Sequence, residues 1–253
     1  DSPMARYPSV DEIASDLRRA AKLPEPAALD EIAWPVLGID PFAEALVKRA
    51  LSLKEGEGLA VVGPPGAGST TLVRRLGWTL GIEGKPVAVL EAPQGSIGAR
   101  EAVDLELSSS HGPENRSKVV IVIDDTAWLD EDARAVIAHA SAAGARVVAV
   151  GSLETVRALV KNSCERIDVP PLDENSSEEL LRRAMPSLSD GLRNHLIEKS
   201  GARPGVLRSY VRRLRGKVLV SSDEVDEILA GVASFADVQT GQSPLVRALR
   251  ALD

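Results

Sequence analysis

The chain has 253 residues, 44% of them hydrophobic and 26% charged; proportions this close to the globular average exclude a disordered or fibrous protein, and the length suits one large domain or a main domain with a small one. A formal net charge of −7 with only 3% aromatic residues argues against a surface built mainly to hold nucleic acid or to stack bases. No apolar run approaches the ~18 residues of a membrane span, the opening Asp1-Ser2-Pro3-Met4-Ala5-Arg6-Tyr7 has no basic-then-apolar leader pattern, and the lone Cys164 permits neither an internal disulfide nor a cysteine-rich zinc site, so a cytoplasmic protein with no membrane partner is expected.

Ser9, with Glu12 at the third position after it, marks a helix start. Val10, Ile13, Ala14, Leu17 and Ala21 then fall on one helical face, which predicts a helix within residues 6–22. Pro24 and Pro26 stop it, so residues 1–22 read as a detached segment and 23–35 as a linker. A second amphipathic helix is predicted over 41–53, with Phe42, Ala45, Leu46 and Ala50 inward.

Between 59 and 152 short apolar runs alternate with helical stretches. The runs 59–62, 87–90, 119–123 and 147–150 are apolar throughout, the mark of strands covered on both faces. Helical patterns at 69–80, 97–107 and 131–142 separate most of them, and 108–117 is a polar loop. Alternation of strand and helix implies a parallel sheet with right-handed crossovers. After Val169-Pro170-Pro171-Leu172 the strands stop, and helices are predicted at about 175–185, 189–199, 204–215 and 223–229. The expected fold is α/β: a doubly wound parallel sheet over 36–170, a small all-helical domain over 171–231, and a C-terminal helix or linker over 232–253.

Chemistry concentrates where the first buried strand meets its helix, in Gly63-Pro64-Pro65-Gly66-Ala67-Gly68-Ser69-Thr70-Thr71. A phosphate-binding loop reads G-x-x-x-x-G-K-[ST], and Gly63, Gly68 and Thr70 fall in that register. Glycines let backbone N–H groups converge on an anion, and the helix N-terminus adds partial positive charge. Thr70 is placed to offer its hydroxyl to Mg²⁺, but Ser69 stands where the motif has lysine. Losing one hydrogen bond to a charged group costs roughly 1.5–3 kcal/mol, or about 10- to 150-fold in affinity, which binding could survive; phosphoryl transfer depends more heavily on that positive charge. The alternatives are a nucleotide-shaped loop that no longer binds and a glycine-rich turn that only permits close packing. A second signal, Val119-Val120-Ile121-Val122-Ile123-Asp124-Asp125, puts two carboxylates at the C-terminal end of a buried strand, where doubly wound sheets bind ligands. Asp124 is the candidate Mg²⁺ holder and Asp125 the candidate catalytic residue, orienting or deprotonating the attacking water; alone, such a pair is as well explained by a turn and a helix cap.

Over residues 30–230 the chain resembles the P-loop ATPases of the AAA+ and STAND superfamilies. Val36-Leu37-Gly38-Ile39-Asp40 is similar to the segment those families carry before the first helix, with Ile39 where arginine is frequent. Gly63 to Thr70 resembles Walker A except at Ser69, and Ile121 to Asp125 resembles a Walker B strand. The resemblance implies a sensor 1 strand ending at Ser152, and makes Ser200-Gly201-Ala202-Arg203-Pro204-Gly205-Val206-Leu207 the opening of a lid helix with Arg203 as a candidate phosphate sensor. The residues implied to bind nucleotide are thus Gly63, Pro64, Gly66, Ala67, Gly68, Ser69, Thr70, Thr71, Ser152 and Arg203, with ATP or ADP and Mg²⁺ as cofactors, held weakly or not at all. Residues 3–22, with Arg6-Tyr7-Pro8-Ser9, resemble the last helix of bacterial serine/threonine protein kinases, which implies a kinase domain upstream in a longer protein.

His111, His139 and His195 are far apart with no metal-ligand spacing, and Cys164 reads as a structural thiol. Arg208, Arg212, Arg213, Arg215 and Lys217 read as a solvated helix face, with an acidic partner or nucleic acid as the alternative. The leading expectation is a regulatory P-loop module of a multidomain signalling protein, acting through partner proteins or neighbouring domains and open to oligomerisation. The alternatives are a working ATPase in which Arg74, Arg75 or a neighbouring subunit replaces the lysine, and a DNA-binding, initiator-like ATPase.

Overall fold

The computed structural model describes residues 36–93, 97–109, 118–217 and 221–230. The chain divides into two units, Asp1–Pro35 and Val36–Asp253, and every described residue belongs to the second. The helix expected within 6–22, the linker over 23–35 and the tail over 232–253 lie outside the described residues, as does most of the polar loop.

Five strands, β1 (Gly58–Val62), β2 (Val87–Leu90), β3 (Val120–Ile123), β4 (Arg146–Val150) and β5 (Cys164–Asp168), form one sheet in the order β2-β3-β4-β1-β5. Every pairing is parallel, as a chain that inserts helices between its strands requires. The helices within this layer are α1 (Asp40–Ser52), α2 (Ser69–Ile82), α3 (Ala99–Ser109), α4 (Glu131–Ala142) and α5 (Leu153–Arg157).

Successive side chains of a strand point to opposite faces, and the core divides accordingly. Leu59, Val61, Val120, Val122 and Val148 pack in one layer with Leu46 of α1 and Leu72, Leu76 and Leu80 of α2. Ala60, Ile121, Ile123, Val147 and Ala149 pack in the other with Val103 of α3, Ala133 and Ile137 of α4, and Val156 of α5. The sheet is therefore doubly wound, as expected. The four apolar runs are strands, and α4 has the bounds its pattern predicts; Asp130 starts it by accepting a hydrogen bond from the Ala133 N–H at 2.7 Å.

Two elements were not expected. β5 is an edge strand, Cys-Glu-Arg-Ile-Asp, without a continuous apolar run; it pairs with β1 through its backbone, and Arg49 of α1 ion-pairs with its Glu165. The short α5 is started by Ser152.

Beyond the sheet come α6 (Glu174–Ala184), α7 (Asp190–Ser200), α8 (Pro204–Leu214) and α9 (Ser222–Ala230). Asp173 caps α6 through the Ser176 N–H at 2.8 Å. Gly201, at φ +60°, ends α7 in the left-handed conformation that favours glycine. Leu180, Leu181, Leu196, Leu207 and Leu214 are buried, and Asp226 of α9 meets both His195 and Lys199 of α7, at 2.8 and 2.9 Å.

Ile121 occupies the middle of this arrangement and is fully buried. Ile121→Ala is expected to cost about 2–5 kcal/mol, seen as a lower urea midpoint at unchanged slope.

Candidate functional site

β1 is apolar and buried up to Val61, and after Val62 the chain turns through glycines and prolines into α2. Gly66 and Gly68 hold φ values of +82° and +94°, which L side chains rarely adopt. The Ala67 N–H donates to the Pro64 carbonyl at 3.0 Å and tightens the turn. Gly68 is the N-cap of α2; no side chain caps that helix and its first turn carries no acid, so the N–H groups there and the positive helix end are free of a competing side-chain oxygen. The Ser69 hydroxyl is folded towards Gly63, 3.1 Å from the point that a Cβ at Gly63 would occupy.

β3 lies one strand away, with β4 between it and β1. Its end carries Asp124 to the mouth of the loop, where the Thr70 side chain hydrogen-bonds to it. The Asp124 side chain is only 15% exposed, and Arg74 of α2 approaches its Oδ2 at 3.6 Å. Its Oδ1 is buried without a hydrogen-bond partner. Burial holds this carboxyl above the usual aspartate range, and the Thr70 hydrogen bond and the Arg74 charge only partly oppose the shift. Asp125 is exposed, and its Oδ1 accepts the Ala127 N–H at 2.9 Å.

These groups share one cleft of about 360 Å³, lined by the loop from Gly63 to Thr70, Asp124, Asp125, Val150 and Gly205. It thus brings together Gly63, Pro64, Gly66, Ala67, Gly68, Ser69, Thr70, Asp124 and Asp125. The other predicted residues stand outside its lining. Thr71 is exposed on α2. The Ser152 hydroxyl caps α5, accepting from the Thr155 N–H at 3.0 Å and sharing a 2.8 Å hydrogen bond with the Thr155 hydroxyl. Arg203 donates from Nε to the Ser200 carbonyl at 2.9 Å and from Nη1 to the Pro65 carbonyl at 3.4 Å, so it grips the loop from the helical side.

Gly205 falls within the expected opening of the lid helix but was not itself singled out as a site residue. Its N–H donates to the Gly66 carbonyl at 2.9 Å, and a Cβ there would lie 2.8 Å from the Gly66 Cα. The start of α8 therefore sits directly on the loop. The only sequence signal is a glycine just inside a helix opened by proline, where glycine is otherwise unfavourable.

Of the two arginines considered as substitutes for the lysine, Arg74 pairs with Glu91 at 2.9 Å as well as with Asp124, and Arg75 pairs with Asp40 at 2.5 Å. His195 joins Asp226, His139 lies on α4, and His111 is outside the described residues. Arg208, Arg212, Arg213, Arg215 and Lys217 are exposed on or just after α8. Cys164 lies half-buried in β5, and burial pushes its thiol up.

The donor set fits a hard divalent cation: the Thr70 hydroxyl and an Asp124 carboxylate with one oxygen unpartnered are oxygen ligands of the kind Mg²⁺ takes. Among the described residues no group of three or more His, Cys, Asp or Glu could hold a metal ion, so a cation here would depend on a phosphate ligand as well.

No family model and no curated protein matches the chain. Among solved structures, it is similar to domain III of the replication initiation protein DnaA from Thermotoga maritima, at 16% identity and a TM-score of 0.49, over 78% of this chain and 93% of that one. AMPPCP-bound DnaA from Aquifex aeolicus is similar at 16% identity and a TM-score of 0.46, over 75% of this chain and 64% of its own length. A chain of the E. coli MS115-1 HORMA:CdnC:Trip13 complex is similar at 15% identity and a TM-score of 0.47, over 83% and 93%. These likenesses concern the arrangement of sheet and helices.

Two outcomes follow from the geometry. A raised carboxyl pKa means that the folded protein binds this proton more tightly than the unfolded chain, so the contribution of Asp124 to stability is full at acid pH and is lost as pH rises through its folded-state pKa. In metal-free buffer Asp124→Asn should therefore raise the melting temperature at pH 7, with a gain that shrinks as pH falls and disappears once pH is below the ordinary aspartate value of about 3.9. Gly205→Ala should cost about 1–3 kcal/mol by overpacking, read by chemical denaturation, because the atoms in its way are backbone.

Proposed function

We propose that this chain is a regulatory P-loop module of the AAA+ or STAND type that binds ATP or ADP with Mg²⁺ weakly or not at all. It acts through contacts with partner proteins or neighbouring domains of a multidomain, kinase-linked signalling protein. The reading is carried by one observation: a loop with the backbone form of a phosphate cradle faces a buried aspartate, yet Ser69 occupies the position of its cation and is turned towards Gly63.

In this reading the first-turn N–H groups of α2 receive phosphate oxygens. Thr70 and Asp124 hold the Mg²⁺, which supplies charge neutralisation to the phosphates when bound. Asp125 is the residue that would orient an attacking water, although its Oδ1 already accepts from the Ala127 N–H. Electrostatics argues against turnover, since a phosphoryl transition state needs a nearby cation on its oxygens and both Arg74 and Arg75 are committed to carboxylates. The exposed residues of α8 and the helix start resting on the loop support a module whose helical part senses the state of the loop. No helix among the described residues is long and apolar enough to cross a membrane.

A second reading, a working ATPase with a substitute cation, would need Arg74, which lies beside the cleft, to exchange Glu91 and Asp124 for the phosphates. Two measurements separate the readings. Ser69→Lys should tighten Mg·ATP or Mg·ADP binding by about 10- to 150-fold, the value of one hydrogen bond to a charged group, measured by calorimetry or as a ligand-dependent rise in melting temperature. No gain would overturn the account of a loop that lacks only its cation. Steady turnover by the unaltered chain, abolished by Asp125→Asn, would establish the second reading.

A further inference from the structure

Arg74 stands between two carboxylates, and only one of them lines the cleft. Its Nη2 lies 3.6 Å from Asp124 Oδ2, and its Nε meets Glu91 Oε1 at 2.9 Å. We propose that Glu91 is a positioning residue for the cation site of the cleft: it holds Arg74 off Asp124 and so leaves that carboxylate open to a divalent cation. The proposal rests on the reading in which Thr70 and Asp124 hold Mg²⁺.

The sheet sets this juxtaposition. β2 and β3 run parallel with Leu90 paired to Ile123, so Glu91 and Asp124 are the next residues out of two neighbouring strands. The Asp124 N–H donates to the Leu90 carbonyl at 3.2 Å, which keeps the two exits in step. Arg74 comes from α2, four residues after Thr70, and residues so spaced share one face of a helix. A hydroxyl and a guanidinium therefore approach the same carboxylate from one side.

Distance decides how the guanidinium is shared. A contact of 2.9 Å is a charge-assisted hydrogen bond, whereas 3.6 Å is beyond hydrogen-bond range. Arg74 is thus committed to Glu91 and only leans towards Asp124, whose Oδ1 is buried without a partner. With Glu91 made neutral, Asp124 becomes the carboxylate that Arg74 meets, and a tethered positive charge then lies where a divalent cation has to bind. Two positive charges a few ångströms apart repel each other more strongly the less water lies between them. Arg74 and a divalent cation therefore compete for Asp124, and Glu91 decides the competition by giving the guanidinium another acceptor. The Arg74 and Glu91 side chains are 48% and 49% exposed, so either can be changed without opening the core.

The test uses the full chain and Mn²⁺, a divalent ion that suits carboxylate and other oxygen ligands. Free Mn²⁺ is counted by electron paramagnetic resonance, with the metal added alone and in the presence of ADP, and a cooperative melting transition verifies the folding of each variant. Glu91→Gln should weaken Mn²⁺ binding by about tenfold, the value of one charge-assisted contact. In a chain that already carries Arg74→Gln, the same change should cost about threefold or less, the screened effect of a half-exposed carboxylate acting by itself. Asp124→Asn should abolish binding in every background. If Mn²⁺ does not bind even to Arg74→Gln with ADP present, or if Asp124→Asn leaves binding intact, the metal site itself is refuted and the proposal falls with it. If Mn²⁺ binds through Asp124 but Glu91→Gln costs the same with and without Arg74, Glu91 acts by its own charge and the proposal alone is overturned. Weaker binding in Arg74→Gln than in the unaltered chain also overturns it, since Arg74 would then assist the cation instead of competing with it.

Discussion

A carboxylate taken out of water has to be answered by protonation, by a hydrogen bond, by an ion pair or by a bound cation. Asp124 poses that demand where β3 leaves the sheet. Thr70 and Arg74 answer it in part, one oxygen is left without a partner, and burial keeps the proton affinity high. Much around it can be understood from this. α2 presents its first turn to the same point, so a threonine is on hand. Arg74, one helical turn beyond Thr70, sits on the same side of α2 and reaches both Asp124 and Glu91. An acid so placed is costly when empty-handed, and that cost is repaid by any ligand that brings positive charge to the unpartnered oxygen.

The sheet was legible because its strands are buried on both faces. Val120 to Ile123 is wholly buried, and such a strand can contain little but β-branched and other apolar residues, which a reader sees as an unbroken run. Likewise α4 announces itself at both ends, with Asp130 at its start and Ala143 followed by Gly144 after it. β5 was not legible for the opposite reason. An edge strand has one neighbour and one open side, so Glu165, Arg166 and Asp168 are tolerated, and what makes it a strand is the backbone of β1.

The site divides in the same way. Gly63, Gly66 and Gly68 are close in sequence because a single turn needs them all, so the loop could be read directly. Which arginine meets Asp124 depends on how α2 is rotated against the sheet, and the sequence offers Arg74 and Arg75 equally. Ser152 and Arg203 could be placed near the site only by resemblance. Their hydroxyl and guanidinium groups serve local needs, a helix cap and a tie to the Pro65 carbonyl. A cavity lined by Trp78, Leu90, Leu105 and Trp128 had no sequence signal, since its walls come from α2, β2, α3 and the segment after β3.

The contact between Gly205 and Gly66 has a further consequence for how the protein can be divided. The loop's own carbonyl is satisfied by an N–H from far along the chain, and the space above it is closed by that same residue. A shortened version ending after β5 would keep every strand of the sheet, yet its glycine turn would face solvent where α8 now rests. The smallest piece that preserves the turn as it stands thus includes the helical half.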